Sequence, residues 1–336
     1  MIEKIGAGKN VLVTGGAGYV GSRLVPELLK LGYKVTVLDI YIFGNDVFQE
    51  YRQDPNLIEV KGDLRDINFV KKALKDIDFV IHLACISNDP SFELDPDLGK
   101  SINYDAFRPL IKASKVAGVR RFIYASSSSV YGFKEDLDVT EDVSLEPMTD
   151  YSKYKAWCET VLKEESEPGF ATLILRPATV CGYARRLRLD LTVNILTNLA
   201  INKGEITVFG GDQLRPNIHI DDIVELYSRC LVYDEGLIDG KIFNVGYENN
   251  SVMRIAEMVR ETLGNKIKIK RTKTDDLRSY HISSEKISNE LGFNPVKTIH
   301  DAVSDLSNAF NEGRVPNSLS DPKYFNVKTM QGIELH

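Results

Sequence analysis

Short runs of consecutive apolar residues recur through the first half of the chain, each followed by a stretch with apolar residues three or four apart. "NVLVTGG" is a short apolar run rich in valine, the signature of a buried strand, and "YKVTVLD", "NLIEVKGD", "DFVIHLA", "RFIYASS" and "ATLILRP" follow as further strands. Helical spacing fills the gaps: from about Gly18 to Leu31, to about Lys75, within "GKSINYDAFRPLIKASKVAG", and from Asp150 to Leu162. Strands alternating with helices at this spacing predict parallel βαβ units with right-handed crossovers. Pro109 inside the third helical stretch removes a backbone donor, so that helix is expected to kink or to start late. Asp150 is the natural N-cap of the fourth.

After Pro177 the segments shorten and lose regularity. "KIFNVG" has the character of a further buried strand returning to the main sheet, and "SVMRIAEMVRETLG" that of an amphipathic helix. The fold class expected is α/β, a Rossmann-type doubly wound parallel sheet with a smaller interleaved C-terminal lobe. Residues 1–175, with returning segments at about 216–248, form the first unit; 176–215 and 249–315 form the lobe; 316–336 form a tail of little periodicity, expected to wrap the surface.

Composition narrows the function classes. The 336 residues are 43% hydrophobic and 27% charged, an ordinary globular balance. A net charge of −6 without a basic run argues against nucleic acid or an anionic membrane as partner. No apolar run approaches the roughly 20 residues of a membrane helix, and "MIEKIGAGKN" lacks an apolar signal core, so a cytoplasmic location is expected. Cys85, Cys158, Cys181 and Cys230 form no CxxC pair and suit free thiols better than a metal or disulfide.

Two constellations carry chemistry. The first is "VTGGAGYVG", directly after a strand and opening a helix, with Gly15, Gly18 and Gly21 spaced for a tight phosphate-binding turn and Tyr19 and Val20 between them. The following helix offers free N–H groups and a partial positive charge to phosphates. The next strand ends in Asp39, 18 residues past Gly21, where a carboxylate accepts from both adenosine ribose hydroxyls and repels a 2′-phosphate, favouring NAD over NADP. The second is Tyr151 with Lys155, four apart and so on one helical face. A free tyrosine with pKa of about 10 is a poor base at neutral pH. A nearby cation stabilises the phenolate and makes it a better one. Lys153 points to another face, and Trp157, Cys158, Val161 and Leu162 make an apolar stripe.

"GDLRD" after the third strand, "HLA" after the fourth, "SSSSVYG" after the fifth and Tyr-x-x-x-Lys 20 residues beyond Tyr131 complete a set. With the glycine turn, it resembles the extended short-chain dehydrogenase/reductase family in its NAD-dependent nucleotide-sugar epimerase/dehydratase branch, from about Asn10 to Pro295. The resemblance implies that Asp63 and Leu64 hold adenine, that Leu83 and Ala84 line the dinucleotide path, and that Tyr151 is the general acid/base. It implies that Lys155 binds the nicotinamide ribose and lowers the phenol's pKa, that Ser127 bonds the reacting sugar oxygen, and that Asn103 stands beside the active site. In the second lobe it implies that Arg215 and Arg278 grip the substrate diphosphate, with Asn194 near its phosphates. His219 and Asp222 of the R-x-x-x-H-x-x-D pattern, like His82, are expected to be structural. "ARRLRLDLTVN" resembles a bacterial surface-polysaccharide subgroup, in which Arg186 and Arg188 approach the nucleotide or diphosphate. Ser87 and Asn88, with Ser128, are expected to face the sugar, and the Tyr-x-x-x-Lys helix to pack against its twin in a homodimer.

The departures narrow the reaction. Ser128 and Ser129 stand where 4,6-dehydratases carry Asp-Glu, no cysteine follows Ser127 as 3,5-epimerases require, and Cys181 replaces a tyrosine. What remains needs only Ser, Tyr and Lys: hydride chemistry at C4 of a nucleotide sugar, as epimerase, 4-dehydrogenase or 4-ketoreductase. A reductase of a non-nucleotide carbonyl and a catalytically silent NAD-binding regulator stay open beside it.

Overall fold

A computed structural model describes residues 5–134, 138–274 and 281–332. The first half alternates as its hydrophobic pattern predicts. β1 (Asn10–Thr14), α1 (Gly21–Lys30), β2 (Lys34–Asp39), β3 (Leu57–Lys61), α2 (Ile67–Ala73) and β4 (Phe79–His82) come first. Two short helices, α3 (Asp89–Phe92) and α4 (Pro96–Lys100), lead into α5 (Phe107–Val116), then β5 (Arg121–Ala125), α6 (Asp150–Glu164) and β6 (Ala171–Pro177). Pro109 acts as expected. The chain makes a π-type turn at Ser101–Asp105, and α5 starts only at Phe107, which puts the proline in its first turn. The N-cap of α6 is Thr149, not Asp150. Thr149 and Ser152 form a reciprocal capping box, which satisfies two orphan donors where a lone aspartate satisfies one.

The second half contributes β7 (Thr179–Cys181), α7 (Thr192–Lys203), β8 (Glu205–Phe209), β9 (Leu214–His219), α8 (Ile220–Cys230), α9 (Glu235–Ile238) and β10 (Lys241–Val245). β11 (Glu248–Ser251), α10 (Val252–Leu263), β12 (Lys268–Thr272), α11 (Glu285–Leu291), α12 (Ile299–Asn311) and α13 (Asn326–Gln331) follow. The seven-stranded main sheet has the order β10-β6-β5-β4-β1-β2-β3, and every pairing in it is parallel. β10 is the "KIFNVG" segment, returned beside β6. The winding reverses between β1 and β4, and ligands bind α/β sheets at the carboxyl ends of strands around such a switch point.

Parallel strands covered on both faces bury nearly every side chain, which is why the runs read as continuously apolar. Val11, Leu12 and Val13 are fully buried. The lobe is built on β11-β9-β7 and β12-β8 around an apolar cluster that includes Val193, Ile206, Ile255 and Val303. The tail does not simply wrap the surface. The Leu189 N–H donates to the Tyr324 carbonyl (2.8 Å), the Asn326 N–H donates to Asp190 (3.2 Å), and α13 lies against the carboxyl end of the sheet. Backbone and amide hydrogen bonds dock it together with Tyr324, Phe325 and Met330, which pack on the core clusters but are too scattered to leave a hydrophobic period in the sequence. No helix among the described residues is long and apolar enough to cross a membrane.

Candidate active site

A cavity of about 360 Å³ opens at the switch point, with walls from the glycine turn, the ends of β2 to β5, the start of α6, the segment after β7 and the tail. Gly15 has φ +70°, and a Cβ on it would stand 2.6 Å from the Ala84 backbone, so the turn reaches the β4 end only as glycine. α1 opens at Val20 and Gly21 with no side-chain cap and no acid in its first turn; the Ser22 and Arg23 N–H groups donate to the Gly18 and Val20 carbonyls, which leaves those of Val20 and Gly21 toward an anion. Asp39 accepts from the N–H of Ala17 (3.0 Å) and of Tyr41 (2.7 Å); burial still pushes its carboxyl above the usual range. Burial raises the Asp63 carboxyl too, but hydrogen bonds from Arg65, one of 2.7 Å, outweigh it and hold the group below its ordinary value. Tyr19, Leu64, Leu83 and Ala84 complete this half of the wall.

The other half gathers polar hydrogens. Ser127 follows β5 and caps a tight turn at Ser128–Tyr131; its Oγ meets the Ser129 N–H at 3.1 Å and the Ser129 Oγ at 2.9 Å. Tyr151, in the first turn of α6, faces the same space. Burial, then the neighbouring Cys85 and Asp89, push its phenol well above the ordinary value, while Arg188 and a hydrogen bond with Ser127 pull it down. The Lys155 ammonium donates to the Ala125 carbonyl (2.7 Å) and lies 5.9 Å from the Tyr151 ring centre. It is therefore fixed to the sheet end beside the tyrosine. A buried bidentate pair lies beneath: Arg176 donates to Glu159 at 2.9 and 2.6 Å, and Ser126 Oγ donates to the same carboxylate. It ties β6 and the end of β5 to α6. Asn103 brackets the loop after β4, accepting from the Ile86 N–H (2.8 Å) and donating to its carbonyl (3.0 Å).

Ser87, Asn88 and Ser128 line the cavity. Asn194 does not: fully buried, it accepts from the Gly182 N–H and donates to Tyr19 Oη and the Arg188 carbonyl, so its amide is spent on the loop after β7. Arg215 stands on β9, paired with Asn250 across the lobe sheet and outside the cavity walls. Arg278 lies outside the described residues. His82 bonds Thr14 Oγ1 at 2.7 Å, stacks on Tyr124, and is pushed down to about 3 by burial and then by Lys155, so a neutral structural imidazole fits. His219 caps α8 and Asp222 accepts from the Val296 and Lys297 N–H groups, both structural uses.

Arg188 donates to both oxygens of Asp190 (2.9 and 3.1 Å) and to Ser87 Oγ (3.2 Å). Asp190, beside the cavity, and Phe43, Asn326 and Met330, in its wall, are among the residues sequence reasoning missed. An asparagine in an aperiodic tail carries no local signal; its role exists only once the tail has docked.

An epimerase-type family model, described as the NAD dependent epimerase/dehydratase family, matches residues 11–246. The UDP-glucose 4-epimerase of Corynebacterium glutamicum is 30% identical over 309 residues, spanning 86% of this chain and 91% of the relative. The UDP-glucose 4-epimerase of Lactobacillus helveticus is 29% identical, spanning 74% and 81%. Among solved structures, the UDP-glucuronic acid 4-epimerase of Bacillus cereus, in complex with UDP-glucuronic acid and NAD, superposes with a TM-score of 0.81 at 25% identity, covering 90% of this chain and 99% of that one.

Proposed function

The chain belongs to the NAD-dependent epimerase/dehydratase family, and from that premise we propose that it inverts C4 of a nucleoside-diphosphate sugar. The cofactor is NAD, and the chain fits it: a glycine turn no Cβ can occupy, an uncapped helix N-terminus and a carboxylate at the end of β2. When bound, NAD would supply the hydride acceptor and donor for C4, on either face of a transient ketone.

The meeting of Ser127, Tyr151 and Lys155 on one cavity wall, across from that turn, carries this reading. Tyr151 removes the proton of the C4 hydroxyl and gives it back after the sugar turns over. Without ligands the phenol's pKa lies well above its ordinary value, so the base must be made by added positive charge. Lys155 and Arg188 supply part of it. Ser127 holds the same sugar oxygen and lowers the phenol through its hydrogen bond. The restriction to C4 follows from Ser128 and Ser129. Neither ionises near neutrality, so neither removes a C5 proton while its neighbour protonates a leaving C6 oxygen.

We further propose a homodimer built on α6. Trp157 is 46% exposed and packs edge-on against Tyr104 and Tyr154, a rigid aromatic face at the surface. A place in bacterial surface-polysaccharide synthesis is supported by "ARRLRLDLTVN" alone. Incubation with NAD⁺ and a panel of UDP-, dTDP-, GDP- and CDP-sugars should yield a C4 epimer from at least one. Failure of every sugar to give epimer, ketone or NADH would sink the proposal.

A further inference from the structure

Arg186 enters the cavity where the lobe meets the glycine turn. Its own N–H donates to Ser22 Oγ (3.2 Å) in the first turn of α1, and its guanidinium lies 3.5 Å from the ring centre of Phe43, in the loop after β2. One Nη donates to Asn326 Oδ1, and the Asn326 amide donates to Ser87 Oγ (2.9 Å). The side chain is 5% exposed, lines the cavity, and its Nε has no hydrogen-bond partner. Among the described residues no carboxylate lies within ion-pair distance of it: Asp190 is taken by Arg188, and Asp39 by the N–H groups of Ala17 and Tyr41. Burial, and then Arg188, push the guanidinium down to about 9.

A buried cation without an ion-pair partner is costly, and a planar fork at a cavity wall with one N–H unpartnered suits a phosphate oxygen. Two diphosphates compete for that description, the cofactor's and the sugar nucleotide's. Position decides between them. Arg186 touches Ser22 and Phe43, with Tyr19 and Asp39 close by, all in the cofactor half; Asn326 and Asp190 flank its other side. Arg188, by contrast, sits toward Tyr151 and Ser87. We propose that Arg186 clamps the NAD diphosphate from the second lobe, opposite the N-terminus of α1, and that Asn326 in the tail is its positioning residue. The tail is then part of the cofactor's enclosure. The proposal stands on the cofactor and is independent of the chemistry at C4.

The test is calorimetric titration of nucleotide-stripped protein with NAD⁺, ADP and adenosine, and of NAD-saturated protein with UDP. Arg186→Gln should weaken NAD⁺ and ADP by a similar factor, roughly 30-fold, leave adenosine and UDP within about twofold, and flatten the salt dependence of NAD⁺ binding. Arg186→Lys should retain much of the affinity. The melting temperature of stripped Arg186→Gln should hold or rise, because an uncompensated buried charge has been removed. Asn326→Asp gives the guanidinium a partner in the empty protein. It should raise the melting temperature of stripped protein and weaken NAD⁺, a pattern that lost packing does not produce, and it serves even if Arg186→Gln fails to fold. Unchanged NAD⁺ affinity in the two charge-altering variants would overturn the clamp. A loss falling on UDP instead would assign Arg186 to the substrate.

Discussion

Replacing Lys155 by methionine keeps the length and apolar body of the side chain and removes its charge. The ammonium lies 5.9 Å from the Tyr151 ring centre and is itself buried, tied to the Ala125 carbonyl. At an effective dielectric of about 20, a unit charge at that distance stabilises the phenolate by about 3 kcal/mol. That is roughly 100-fold in the phenolate fraction, and in turnover under conditions where the phenol is mostly protonated. The sign is definite. Losing a cation raises the phenol's pKa, so the acid limb of the kcat profile should move to higher pH. The defect should shrink as the pH rises. The assay is kcat against pH for wild type and Lys155→Met with the sugar that turns over, at saturating NAD⁺. A defect of the same size at every pH, with the limb unmoved, would refute the electrostatic role and leave Lys155 as an anchor for the nicotinamide ribose.

The remaining predictions concern what lies beneath that pair and what happens when the cofactor arrives. Glu159→Gln strands Arg176 as a buried, uncompensated cation and should cost about 3–5 kcal/mol in urea unfolding; the double change Glu159→Met, Arg176→Met should recover most of it, and a single-mutant loss below about 1 kcal/mol would contradict the pair's place as the tie between β6 and α6. Because the Tyr151 phenol starts well above its ordinary value and the positive nicotinamide ring lowers it, NAD⁺ binding should release a proton. The release should be absent at acid pH and grow as the pH rises through the complex's lower value. Calorimetry in buffers of different ionisation enthalpy measures it, and Tyr151→Phe should abolish it.

Much of this architecture is written locally, and that part was legible. A strand buried on both faces is apolar at nearly every position, so the central strands β1, β4, β5 and β6 announce themselves, while the edge strand β3, with only Val60 buried, reads less clearly. The phosphate turn needs glycine because the Ala84 backbone lies where a Cβ would go. Tyr151 and Lys155 share a face through helical geometry alone, and both reach the cavity wall. What was not legible depends on tertiary contact. Glu159 and Arg176 look like surface charges at helix and strand positions, and only the packed sheet buries them together. Asn194 sits at a familiar motif position, yet the loop after β7 consumes its amide. The tail reads as aperiodic because it docks by hydrogen bonds to Asp190, Ser87 and Arg186 and by a few scattered apolar residues, Tyr324, Phe325 and Met330, that make no regular stripe. Asp150 was the cap expected from sequence, and the reciprocal bond of Thr149 with Ser152 moves the cap one residue earlier.

The central claim is that the chemistry is confined to C4 and that Tyr151 handles only an oxygen-bound proton. Running the reaction in D₂O with the sugar nucleotide that turns over, and reading the product by NMR, tests it most directly. The account predicts a product inverted at C4 with no carbon-bound deuterium, because the hydrogen leaves and returns as hydride without meeting solvent. Deuterium at C3 or C5 would show that a side chain here removes a carbon-bound proton, and would contradict it.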